Sequence, residues 1–223
     1  HVVTFSLASA IAALEENQTE EEALTIAQEG FNRTSKRLND IQLEECLKIW
    51  RRSEKKIVLG GLLPLAKKEG SSINKLLKKI SQDPTLVVLP EITANLFHKN
   101  FVPDFDSVLS TVSQKEIAQF QPDLLITIGG SFISKRIKLW LRKHSPKAHW
   151  HIEEIDYHID TFQSLTKTIN MKPTTFFEQL FPFVSDTLKT KNIRAKVSDT
   201  LKVSDTATYQ TVWKNRAKII QKT

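Results

Sequence analysis

Cysteine is almost missing from this chain. Cys46 is the only one in 223 residues, so no intrachain disulfide can form and a reducing, cytoplasmic setting is expected. Long apolar runs are missing as well. No stretch approaches the roughly 20 consecutive apolar residues of a membrane helix, so no membrane span is expected within it. The segment FSLASAIAAL (residues 5–14) is apolar enough for a signal core but lacks a basic flank, and is not read as one.

Glycine is scarce, at positions 30, 60, 61, 70, 129 and 130 only. That limits how many loops can bring backbone close to a phosphate. After the first apolar run the sequence is GGLLPLAKKEG (residues 60–70), with Pro64 where a phosphate-binding helix should begin. The dinucleotide fingerprint is therefore absent. GGSFISK (residues 129–135) lacks Walker A spacing, and no GxSxG elbow occurs. His149, His151 and His158 stand near Glu153 and Asp156, but without a cysteine pair or HExxH. They read as polar residues around a strand end, not as a metal centre.

What is present is an ordinary soluble composition, 40% hydrophobic and 26% charged, with a formal net charge of +7. Residues 15–29 hold six glutamates and no Lys or Arg, whereas cations gather at 48–56, 67–79 and 135–147. Those basic clusters fall on expected helices. They lack interleaved aromatics and any zinc-finger, RRM or KH pattern, so nucleic acid is not an expected partner.

Short apolar runs alternate with helix-length segments. Strands are expected at Lys56–Leu59, Thr85–Leu89, Leu124–Ile128 and Trp150–Ile155. Helices are expected over Ile41–Arg52, Ser71–Ser81, Ser113–Phe120, Phe132–Lys143, Pro173–Phe181 and Thr208–Lys222. This pattern predicts an α/β fold, a doubly wound, mostly parallel sheet with helices on both faces, plus a C-terminal linker helix. The expected organisation is an N-terminal extension over 1–40, the α/β domain over 41–183, and a linker with a helix over 184–223. VSDTLK occurs at 184–189 and again at 197–202, which suits a linker, and the last helix is expected to dock on another domain.

One junction carries chemistry. In QPDLLITIGGSFISKRIKLWLRK (residues 121–143) a strand ends at Gly129-Gly130, Ser131 is expected to cap the next helix, and Lys135 and Arg136 lie in its first turns. Unsatisfied N–H groups at a helix start favour an anion there. Cations at that end oppose the helix dipole by some tenths of a kcal/mol, which a bound anion would offset. The same cations would also be stable if merely solvated, and the residues alone leave the two readings even.

The segment PDLLITIGGSFISKRIKLWL (residues 122–141) resembles the middle domain of the thiamin-diphosphate-dependent 2-succinyl-5-enolpyruvyl-6-hydroxy-3-cyclohexene-1-carboxylate (SEPHCHC) synthases of menaquinone biosynthesis. KIVLGGLLP, TLVVLPEITANLF and WHIEEIDYHIDTF look like the other strand ends of that domain, in the same order, and YQTVWKNRAKIIQK looks like its link to a last domain. The resemblance implies the central domain of a three-domain transferase, a homodimer or homotetramer. Such an enzyme decarboxylates 2-oxoglutarate on thiamin diphosphate with Mg2+ and adds the succinyl unit to isochorismate. It implies that Lys135 and Arg136, and more weakly Ser131, bind carboxylate substrate. It also implies that the other two domains hold the cofactor and metal, since this chain has no GDG motif, and that this segment is inactive alone. The alternative is a middle-type domain that binds a nucleotide or metabolite without catalysis.

Overall fold

A computed structural model of the chain describes residues 37–63, 69–154, 159–198 and 207–222. The expected N-terminal extension, up to residue 36, lies outside the described residues, as do Asp156 and His158. Five strands form one sheet: β1 (Lys56–Gly60), β2 (Leu86–Pro90), β3 (Leu124–Ile128), β4 (Ala148–Glu153) and β5 (Lys167–Asn170). Their order is β2-β1-β3-β4-β5, and every pairing is parallel. The chain moves outward from β1 to β2, then returns past β1 to β3. The topological switch point therefore lies between β1 and β3, where open sheets of this kind form their ligand crevice.

β1, β2 and β3 are buried along their whole length because both faces are covered. On one face, Val58, Val88, Ile126, Trp150 and Ile152 pack against helices α1 (Asp40–Arg52), α2 (Glu69–Ile80) and α6 (Pro173–Ser198). On the other, Ile57, Leu59, Val87 and Leu125 meet α3 (Phe105–Ser110), α4 (Ile117–Phe120), α5 (Lys135–Lys143) and α7 (Tyr209–Ile220). Among the described residues no helix is long and apolar enough to cross a membrane.

Four departures from the sequence reading have physical causes. β4 starts at Ala148 rather than Trp150, because pairing with β3 begins at Leu124 opposite Ala148. β5 was not expected: as an edge strand it buries only Ile169, so it shows no continuous apolar run. α3 falls in a segment read as loop, although Phe105, Val108 and Leu109 carry helical spacing. α6 continues through Pro182 to Ser198, past the proline at which a helix is expected to stop. The first VSDTLK copy is therefore helical backbone rather than linker.

The C-terminal helix α7 does not stand away from the sheet. Thr208 caps it, Trp213 is fully buried, and the Tyr209 hydroxyl donates to the Phe120 carbonyl at 2.7 Å. The Gln210 side-chain amide donates to the carbonyls of Ser81 and Leu86, and Arg216 pairs with Glu116. The helix expected to dock on another domain instead completes the second face of this sheet.

Candidate functional site

The carboxyl edge at the switch point is built from the two glycine turns. The Gly61 N–H donates to the Ile128 carbonyl, and Leu62 and Gly130 exchange a pair of backbone hydrogen bonds, 2.6 and 3.1 Å. A Cβ on Gly61 would lie 2.5 Å from the Gly130 oxygen, and one on Gly129 (φ +73°) would lie 2.5 Å from the Leu62 oxygen. The glycines are needed because the two loops cross at van der Waals distance. Their expected use, close approach by a ligand, is taken by the chain itself.

The helix start is also displaced. Ser134, not Ser131, is the N-cap of α5, its hydroxyl accepting from the Ile137 N–H at 3.1 Å. Ser131 is exposed and adopts a left-handed conformation, φ +44°, which turns the loop before the helix begins. Lys135 and Arg136 are then the first two helical residues. An anion already stands before them. The Glu91 carboxylate, only 6% exposed, accepts from the Ile133 N–H at 2.7 Å and the Ser134 N–H at 2.9 Å. The Ser134 hydroxyl donates to Asp106 Oδ1 at 2.5 Å. Two internal carboxylates thus oppose the cations at the dipole's positive end. Sequence reading missed Glu91, which lies 42 positions upstream of Ile133 on the loop after β2.

Both cations remain exposed at this edge. Arg136 donates to the Asp106 carbonyl at 2.9 Å, which aims its guanidinium across the loop. Lys135 makes no hydrogen bond or ion pair among the described residues. The edge also exposes Leu62, Ile92, Phe97, Ile133 and Ile159, each on a loop that follows a strand.

The histidines form a chain, not a cluster. His149 Nδ1 lies 3.1 Å from the Ser164 hydroxyl and its Nε2 lies 3.0 Å from Thr127 Oγ1. Thr127 Oγ1 lies 2.9 Å from His151 Nδ1, and His151 Nε2 lies 3.0 Å from Glu153 Oε2. One proton arrangement satisfies all four contacts with both imidazoles neutral: Ser164 donates to His149, His149 to Thr127, Thr127 to His151, and His151 to Glu153. Burial pushes the His149 imidazole down to about 4, consistent with a neutral ring. The array ends at Glu153, beside Gly130.

These residues do not fit thiamin diphosphate. The glycine-turn N–H groups of Gly61, Leu62 and Gly130 are bonded to the opposite loop, and those of Ile133 and Ser134 to Glu91. No diphosphate cradle is formed here, and no step is assigned to the cofactor on this chain.

An all-parallel five-stranded sheet covered on both faces, with its switch point between β1 and β3, defines the class as an open α/β domain. The chain belongs to the family described as the middle domain of thiamine pyrophosphate, whose model matches residues 13–218. It is 39% identical over 141 residues to the SEPHCHC synthase of Flavobacterium johnsoniae, covering 62% of this chain and 24% of that protein. It is 34% identical over 160 residues to the synthase of the same name from Flavobacterium psychrophilum, covering 68% and 28%. The synthase of Bacteroides thetaiotaomicron is 40% identical over 85 residues, covering 38% and 15%. The chain thus spans about a quarter of the length of the first two relatives. A solved exopolyphosphatase-related protein from Bacteroides fragilis overlaps with 16% identity and a TM-score of 0.36, over 62% of this chain and 41% of that one. That likeness is too weak to support an argument.

Proposed function

We propose that the chain is the central domain of a longer SEPHCHC synthase, and that Lys135 and Arg136 bind the carboxylates of its substrates. In this reading the whole enzyme decarboxylates 2-oxoglutarate and joins the succinyl unit to isochorismate. Thiamin diphosphate and Mg2+ sit in the other two domains, the assembly is a cytoplasmic homodimer or homotetramer, and this segment is inactive alone. The carrying observation is the start of α5. Its first two side chains are exposed cations at the carboxyl edge, on a loop that the buried Glu91 clamps through two N–H groups. A clamped loop holds the charges in place before substrate arrives, which lowers the ordering cost of binding.

Arg136 presents a planar fork suited to a carboxylate, whereas Lys135 is a mobile point charge. Ser131, exposed at the tip of the turn, is the weaker contact. The reading of a nucleotide-binding middle domain loses support because the Leu62–Gly130 bridge occupies the switch point. In the full-length enzyme, Arg136→Ala is expected to cost about 2–4 kcal/mol in kcat/KM, roughly 30- to 900-fold. Lys135→Ala should cost less, since Arg136 remains beside it. Unchanged steady-state kinetics for both variants would overturn the assignment.

A further inference from the structure

The carboxyl edge holds a second set of polar groups, to which the function proposed above gives no role. Ser164, His149, Thr127, His151 and Glu153 form an unbroken line of four contacts, 3.1, 3.0, 2.9 and 3.0 Å. Its middle is closed to solvent: His149 is 2% exposed and Thr127 1%. Its ends are open, since Ser164 is half-buried and the Glu153 side chain is 23% exposed. With both rings neutral, each of the three inner groups carries one mobile hydrogen and a free acceptor, so each can pass a proton on.

The line can be satisfied in two directions. With Glu153 ionised and both rings neutral, every donor points towards Glu153. A proton arriving from solvent at the Ser164 oxygen reverses it. Ser164 passes its own hydrogen to His149 Nδ1, His149 passes its Nε2 hydrogen to Thr127 Oγ1, and Thr127 passes its hydrogen to His151 Nδ1. His151 then holds hydrogens on both nitrogens, and its Nε2–H lies on the 3.0 Å contact to Glu153. One proton is gained, three of the four contacts reverse, and all four survive. The added proton belongs to the His151–Glu153 pair rather than to either residue. A static network would take it differently: Thr127 would accept from both rings and turn its hydroxyl to the Trp150 carbonyl, leaving His149 unchanged. That contact is the longer one, 3.3 Å against 3.0 Å to His149 Nε2, which favours the reversal.

The surroundings suit a proton held at the Glu153 end. Asp160 faces His149 from the loop before β5, and Thr168 and Asn170 of β5 lie opposite His151 and Glu153. Towards α5, Phe162 stands edge-on to His149 at 5.7 Å with Phe132 beyond it, and Lys138 is bound at the Phe132 carbonyl. We propose that this line is a proton relay, which loads and unloads the His151–Glu153 pair from Ser164 through His149 and Thr127. It gives the carboxyl edge an acid–base group and does not depend on the roles given to Lys135 and Arg136.

The test is a titration of the 223-residue chain, isotopically labelled at histidine, from about pH 8 to about pH 5. That range lies above the value of about 4 to which burial lowers His149. Two-bond proton–nitrogen spectra distinguish the Nε2–H tautomer, the Nδ1–H tautomer and the imidazolium, and His149→Gln and His151→Gln assign the two rings. His149 is expected to begin as the Nε2–H tautomer and to convert to Nδ1–H, uncharged throughout, as His151 gains its second hydrogen. In Thr127→Val, its fold verified by its amide spectrum, His149 should no longer follow His151; if that variant does not fold, the wild-type titration decides alone. A His149 that keeps its Nε2–H tautomer, becomes charged with His151, or still follows it in Thr127→Val would overturn the proposal. So would a His151 that gains no proton in this range.

Discussion

At the scale of single residues, the most informative group is His149, because its environment was not visible in its spacing. His149 and His151, two positions apart in β4, share one strand face. That spacing did not show that Thr127 of the neighbouring strand lies opposite His151 and links the two rings, accepting from His149 and donating to His151. The consequence is a pH dependence with a definite sign. In the unfolded chain His149 binds a proton near pH 6.5, but in the folded chain only near 4. Between those values the unfolded state holds more protons, so stability is fully present above pH 6.5 and is lost as pH falls towards 4. The difference amounts to about 3 kcal/mol. Urea unfolding at pH 7 and pH 5 should therefore show a drop in midpoint for the wild type. In His149→Gln that drop should be smaller, the remainder coming from His98 and His144, whose imidazoles burial also lowers, and from carboxylates that begin to protonate in the lower part of this window. Equal pH slopes in the two proteins would refute a neutral, buried His149.

At the scale of elements, legibility followed burial. β1 and β3 could be read because strands covered on both faces are continuous apolar runs, and β3 was placed without error at Leu124–Ile128. β5, with one buried residue, left no such signal. The start of α5 was read three residues early, since Ser131 and Ser134 are equally good caps and only the positive φ of Ser131 separates them. Glu91 was invisible because a carboxylate that serves a helix from another loop has no fixed sequence offset. Its clamp is testable apart from catalysis. In Glu91→Gln one of the two N–H groups would face an amide NH2 instead of an oxygen, and the negative charge at the helix start would be lost. A destabilisation of about 1–3 kcal/mol is expected, measured as a lower urea midpoint at neutral pH. A variant as stable as the wild type would show that the loop is held by other contacts.

At the scale of the whole molecule, the question is whether α7 belongs to this domain or to something beyond it. Its sequence, basic and amphipathic after a polar stretch, fits either. The packing favours the first: Trp213 is fully buried, edge-on to Phe120 at 5.1 Å, and lies in the same cluster as Ile57, Leu59 and Leu125. α7 also covers α3 and α4, the two short helices of six and four residues, which are too short to persist without tertiary support. Removing the indole should therefore act on the entire second face of the sheet. Trp213→Ala is expected to destabilise the 223-residue chain by about 3–5 kcal/mol, lowering the midpoint of one cooperative transition seen by both circular dichroism and fluorescence. If α7 instead served a neighbouring domain, the substitution would leave the midpoint unchanged in this chain and weaken only the longer protein. The two outcomes separate a helix that links domains from one that closes the core of its own.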